Sequence, residues 1–142
     1  MSDKILERFA ASRRSDPPAL PAIENSGDAE ELGFFGVLRG SMERAVMLEL
    51  RLKTGVILAV GYSWLERIEY EPSDGIKLFA AGLEILIAGR NLNEEIRPHV
   101  ALFECLARHR VPWIREADED EVLKSPETAT VVEMIHWKSF KR

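Results

Sequence analysis

With Cys105 as its one cysteine, the chain cannot form an internal disulfide, and the paired-cysteine zinc motifs are excluded with it. No uninterrupted apolar run approaches the roughly 18 to 20 residues that a membrane-spanning helix needs. The opening stretch MSDKILERFAASRR is charged from its third residue and has no long apolar centre, so it does not read as a signal peptide. A cytoplasmic, reducing location without membrane contact is the expectation. The phosphate-cradling patterns GxxxxGK[ST] and GxGxxG are both absent. Gly33, Gly36 and Gly40 therefore read as tight turns or close backbone approach. No GxSxG elbow occurs, and Cys105 lacks the surroundings of a catalytic thiol. No cofactor is expected.

A chain of 142 residues, 46% apolar and 30% charged, suits one soluble domain with tails, large enough to hold a core without metal or disulfide. The net charge of −5 is unevenly placed. Residues 39–115 hold eleven Lys/Arg and ten Asp/Glu, whereas the flanks hold eight and fourteen. Much of the acidity lies in Glu116-Ala117-Asp118-Glu119-Asp120-Glu121, which reads as a solvated segment. A nucleic-acid footprint needs a basic stripe, and this balance does not favour one.

The clearest local pattern is VMLELRLK. Val46, Leu48, Leu50 and Leu52 point one way, and Met47, Glu49, Arg51 and Lys53 the other, the period-2 alternation of a half-buried strand. Thr54-Gly55 marks a hairpin into Val56–Val60. Further strands follow over 65–71, 76–80 and 83–88, separated by Pro72-Ser73-Asp74-Gly75 and Ala81-Gly82. Consecutive antiparallel strands make a meander. Its outward positions include Met47, Ile57, Phe79 and Leu86, too apolar for a face left in water.

The ends read differently. Ile5, Leu6, Phe9 and Ala10 make one stripe of a short N-terminal helix, followed by a Pro-containing linker to residue 31. A β-rich domain then spans 32–115, with a helix over 93–110 entered at Asn93 and carrying the stripe Leu102, Phe103, Leu106. The remainder, 116–142, is the acidic segment and a C-terminal strand or helix, between which Thr128–Val132 leaves the choice open.

Few residues offer chemistry. His99, Cys105 and His109 make a conceivable metal set, but one cysteine and no ligand spacing argue for exposed histidines and a buried thiol, so no metal is expected. His136 has no partner at motif spacing. Trp64, in Tyr62-Ser63-Trp64-Leu65, reads as a core or interface anchor, with base stacking the sharper alternative.

The run Ile87-Ala88-Gly89-Arg90-Asn91-Leu92, following a five-stranded meander and an N-terminal helix, resembles the Sm-like small β-barrel. That family's second signature has apolar-Arg-Gly-x-Asn-apolar at this turn; here Arg and Gly are transposed. Its first signature is missing, with Ser63, Trp64 and Glu66 in that region. The resemblance covers roughly 40–92. It implies a bent barrel closing into rings through its edge strands, with RNA contact through Arg90 and Asn91.

The expected fold is thus α+β: a strongly curved antiparallel five-stranded meander or small barrel, with an N-terminal helical arm and a C-terminal helix. The expected role is a non-catalytic self-assembling or protein-interaction domain, a homo-oligomer using Ile5, Phe9, Met47, Trp64 and Phe79. An RNA-binding module of Sm-like type is the alternative, and a small enzyme or ligand binder the second.

Overall fold

A computed structural model describes residues 29–40 and 42–140 of the chain, of which 47% are strand and 14% helix. This corrects the α+β expectation. The described protein is mostly β, and its strands form three sheets, none of them closed. The N-terminal arm with Ile5 and Phe9 lies outside the described residues.

In chain order the strands are β1 (Ala29–Glu31), β2 (Gly36–Leu38), β3 (Met47–Arg51), β4 (Ile57–Gly61), β5 (Leu65–Glu71), β6 (Gly75–Ala80), β7 (Leu83–Arg90), β8 (Trp113–Arg115) and β9 (Val131–Ser139). Two short helices interrupt them, α1 (Leu102–Ala107) and α2 (Glu119–Lys124). The sheets have the orders β1-β2, β4-β3-β8 and β5-β6-β7-β9.

The expected meander breaks after β4. A 3-10 turn over Tyr62–Trp64 takes the place of a hairpin, because Tyr62 turns into the core and its hydroxyl donates to the Val111 carbonyl at 2.6 Å. β3 and β4 are left as one hairpin, and β8 completes their sheet in parallel, Leu50 opposite Ile114. On the far side β7 pairs with β9, not with an early strand. Of residues 128–140, Val131–Ser139 is strand, and no helix forms there. The alternation read from VMLELRLK holds at its centre: Leu48 and Leu50 are buried, whereas Val46 is exposed.

The helix expected over 93–110 shrinks to α1. Asn91 and His99 both adopt positive φ, 56° and 66°, and left-handed residues cannot continue a right-handed helix. Pro98 removes a further N–H from this stretch. What remains is a loop closed on itself, Ile96 N–H donating to the Val100 carbonyl at 2.7 Å. α1 begins only at Leu102, and it buries Leu102, Cys105 and Leu106. Among the described residues no helix is long and apolar enough to cross a membrane.

The acidic run is not uniformly solvated, contrary to expectation. Glu116 is 9% exposed and Ala117 fully buried. The Glu116 carboxylate accepts from Lys53 N–H at 2.9 Å with one oxygen and from Ile135 N–H at 2.7 Å with the other. Its own N–H donates to the Arg51 carbonyl, and Ala117 N–H to the Val132 carbonyl. Residues 116–117 thus join the end of β3 to the outer edge of β9. Asp118 then caps α2 through a reciprocal capping box with Glu121.

Candidate functional site

Each sheet edge was open to a partner in principle, since a terminal strand presents unpaired N–H and C=O groups. Among the described residues, β2 and β8 face each other, with Phe35 opposite Ile114 and Arg115 N–H donating to the Phe34 carbonyl, and three more edges are protected. β1 has three residues, two of them Glu30 and Glu31. β5 carries Glu66, Arg67, Glu69 and Glu71 and is bulged between Leu65 and Arg67. The outer edge of β9 is met at Val132 and Ile135 by Ala117 and Glu116, and its further half carries His136 and Lys138.

β4 has none of these devices. From Gly55 to Leu65 no residue is charged and none is proline. Opposed residues of an antiparallel pair alternately exchange both backbone bonds or turn them away. Tyr62 N–H donates to the Val46 carbonyl at 3.0 Å, so Val60–Leu48 and Leu58–Leu50 are the bonded pairs further down the register. The intervening residues of β3 turn toward β8: Glu49 N–H reaches the Pro112 carbonyl, and the Arg51 carbonyl receives Glu116 N–H. By the same parity, Ile57 and Ala59 turn their N–H and C=O to the outer side of β4, where no described strand lies.

Side chains agree with this geometry. Ile57 is 59% exposed and Trp64 65%, and a Cβ placed on Gly61 would sit 3.3 Å from Trp64 Cδ1 and 3.7 Å from Met47 Sδ. Met47 and Trp64 therefore flank one glycine at the end of the β4 edge. The only charges on the β3 part of this face, Glu49 and Arg51, pair with each other at 2.8 Å, and Arg51 lies over the Trp113 ring at 4.9 Å. Phe79 does not join this surface. It is 6% exposed in the other sheet, covered by Phe140 at 5.0 Å between ring centroids and by the Arg67 guanidinium.

Gly89, Arg90 and Asn91 are engaged within the chain. Arg90 Nη2 donates to the Val122 carbonyl at 2.9 Å, and its Nε lies 3.1 Å from Glu133. Asn91 Nδ2 donates to the Glu127 and Ala129 carbonyls, both at 2.8 Å, and its own carbonyl accepts from Thr130 Oγ1. These residues tie α2 and the loop before β9 to the end of β7, with Arg90 Nη2 and Asn91 Nδ2 on protein carbonyls and Arg90 Nε beside the Glu133 carboxylate.

α2 is held from its other side by Arg115, whose two terminal nitrogens meet the two Glu121 oxygens at 3.0 Å each. The hydrogen bonds from Arg115, then the Asp118 N–H, hold the Glu121 carboxyl below its usual range. A depressed folded-state pKa adds stability above the unfolded value and loses it as pH falls through the folded one. Glu121 should therefore titrate below an ordinary glutamate, and Arg115→Ala should move its midpoint upward, as read from side-chain carbonyl shifts by NMR. An unchanged midpoint in that variant would remove Arg115 as the cause.

The histidines and cysteine separate. Cys105 is fully buried, and burial pushes its thiol pKa up, which suppresses the nucleophilic thiolate. The His109 ring stacks on Tyr62 at 4.6 Å. His99 instead meets two acids, in an exposed group with Glu95 and Glu104 whose ligand atoms lie within 4.8 Å of one another. Arg108 already pairs with Glu104 at 3.4 Å, so a cation would have to displace it.

These features define a small, mostly β protein of three open sheets with one unprotected, apolar edge among the described residues. No family model, no curated protein and no solved structure matches the chain.

Proposed function

We propose that this protein is a non-catalytic self-assembling domain, and that its contact surface is the β3–β4 hairpin with Trp64. One observation carries the reading: among the described residues, β4 is the uncharged edge with no strand beside it, whereas β2 and β8 meet each other at Phe35 and Ile114 and the remaining edges are charged, bulged or partly covered. Burying Trp64 and Ile57 against a partner removes apolar area from water, and each large side chain fully buried contributes about 1.5–3 kcal/mol. Trp64 suits the role of anchor, since tryptophan is over-represented among residues that dominate binding energy.

Sedimentation velocity tests this directly. Mass should rise with protein concentration, and Trp64→Glu should return it to the monomer while leaving the far-ultraviolet circular dichroism unchanged. A wild-type chain that stays monomeric at every attainable concentration would end the self-assembly reading. An RNA role would show as oligonucleotide retention at low salt that weakens as salt rises. The internal engagement of Arg90 and Asn91 gives that reading less support.

A further inference from the structure

Resting on that reading, we infer that the partner at β4 is a second copy of the same strand, paired antiparallel about a two-fold axis at Leu58. By parity Ile57, Ala59 and Gly61 turn outward, but Gly61 caps the 3-10 turn, which takes its carbonyl; Ile57 and Ala59, placed symmetrically about Leu58, are the two that offer both backbone groups. A two-fold axis through Leu58 sets Ile57 of one copy opposite Ala59 of the other. Both are at positions that exchange two backbone bonds, so the two symmetry-related pairs make four hydrogen bonds with each N–H facing a C=O. No other occupant is needed to satisfy these groups, because the edge is complementary to itself.

The same axis places Leu58 against Leu58 of the second copy. Leu58 spends its backbone bonds on Leu50, so this central pair is of the unbonded kind, in which the side chains stand closest. Leu58 points to the core face yet stays half-buried at the open edge, and a facing leucine completes its cover. Gly61 of one copy falls opposite Gly55 of the other. Trp64, standing beside Gly61, then lies over the hairpin tip of the second copy. The product is a continuous six-stranded sheet, β8-β3-β4 meeting β4-β3-β8. No like charges oppose each other across the new junction, since the run from Gly55 to Leu65 carries none.

Three variants test the register. Leu58→Cys should form an intermolecular disulfide under mild oxidation, whereas Ile57→Cys, set opposite Ala59 and not opposite itself, should not. Ala59→Pro removes an outward N–H and no β3–β4 bond, so it should abolish the dimer while the monomer keeps its circular dichroism. If Ala59→Pro fails to fold, hydrogen exchange on the wild type decides: the Ile57 and Ala59 amides should gain protection as concentration rises. A dimer that survives Ala59→Pro but is lost in Trp64→Glu overturns the edge pairing and leaves the broader self-assembly reading standing. Equal cross-linking of both cysteine variants overturns the register. A monomer whose Ile57 and Ala59 amides are protected at all concentrations overturns the second copy as occupant, in favour of another part of the same chain.

Discussion

Glu116→Ala should lower the stability of the protein by about 3–6 kcal/mol, because two backbone N–H groups lose a charged acceptor and each such bond contributes about 1.5–3 kcal/mol. Lys53 N–H and Ile135 N–H are those donors. They lie on different sheets, one just beyond β3 and the other on β9. Ile135 is buried, and a buried donor without a partner bears its full desolvation cost; water can reach the exposed Lys53, which places its share at the lower end of the range for one bond. Glu116→Gln separates the two bonds. It keeps the shape and one acceptor, but its amide nitrogen would face an N–H donor. The expected cost is about 1.5–3 kcal/mol, half that of alanine. Urea unfolding followed by fluorescence measures both variants. A glutamine variant as stable as wild type would show that the carboxylate does not hold the two sheets together.

Gly89→Ala should destabilise by about 3 kcal/mol, at the upper end of what an added methyl costs in a packed interior. β7 and β9 slip register at Ala88/Gly89, and there the backbones approach so closely that a Cβ on Gly89 would overlap the Val131 carbonyl oxygen, with Glu133 N only 3.0 Å away. The obstacle is main chain, so no rotamer change relieves it. β9 must move away at Val131–Val132, and the bond from Ala117 to Val132 goes with it. For a domain of this size the melting temperature should fall by about 10 °C. Calorimetry gives the shift, and amide exchange should show loss of protection first at the start of β9. Because Glu116 grips the same strand, combining the two substitutions should cost less than the sum of the separate effects. Strict additivity would mean that the bulge and the carboxylate act independently.

Strand boundaries were legible wherever one strand alternated between core and solvent. Leu65–Glu71 falls where the pattern placed it, and β3 differs only at its ends. Partner choice was not legible. Nothing in Val111-Pro112-Trp113-Ile114 announces a parallel strand beside β3, because strand partners 64 residues apart are chosen by packing and leave no local periodicity. Glu116 was hidden for a related reason. In a run of acids it resembles its neighbours, and only the two N–H groups brought to it by distant strands set it apart. A signal was present: Ile114 and Ala117 on either side are apolar, which hints that the run starts inside the protein. Alternation turns Met47 outward and Trp64 reads separately as an anchor; that both flank Gly61 follows from the hairpin and the 3-10 turn together. Phe79 was not separable from them, since its cover is Phe140 from the far end of the chain.

By itself, then, the sequence determined that this protein is built on short strands, that β4 is apolar and uncharged, and that Arg90 and Asn91 sit at the end of a strand. Those are properties of neighbouring residues, and period-2 alternation and charge are written in neighbouring residues. Only the tertiary structure decided which edges are closed. Tyr62 turning inward breaks the meander in two, Glu116 and Ala117 cover the first half of β9, and Arg90 and Asn91 are drawn into holding α2 and its loop. An edge is free or covered according to what folds back onto it, and here that comes from residues dozens of positions away.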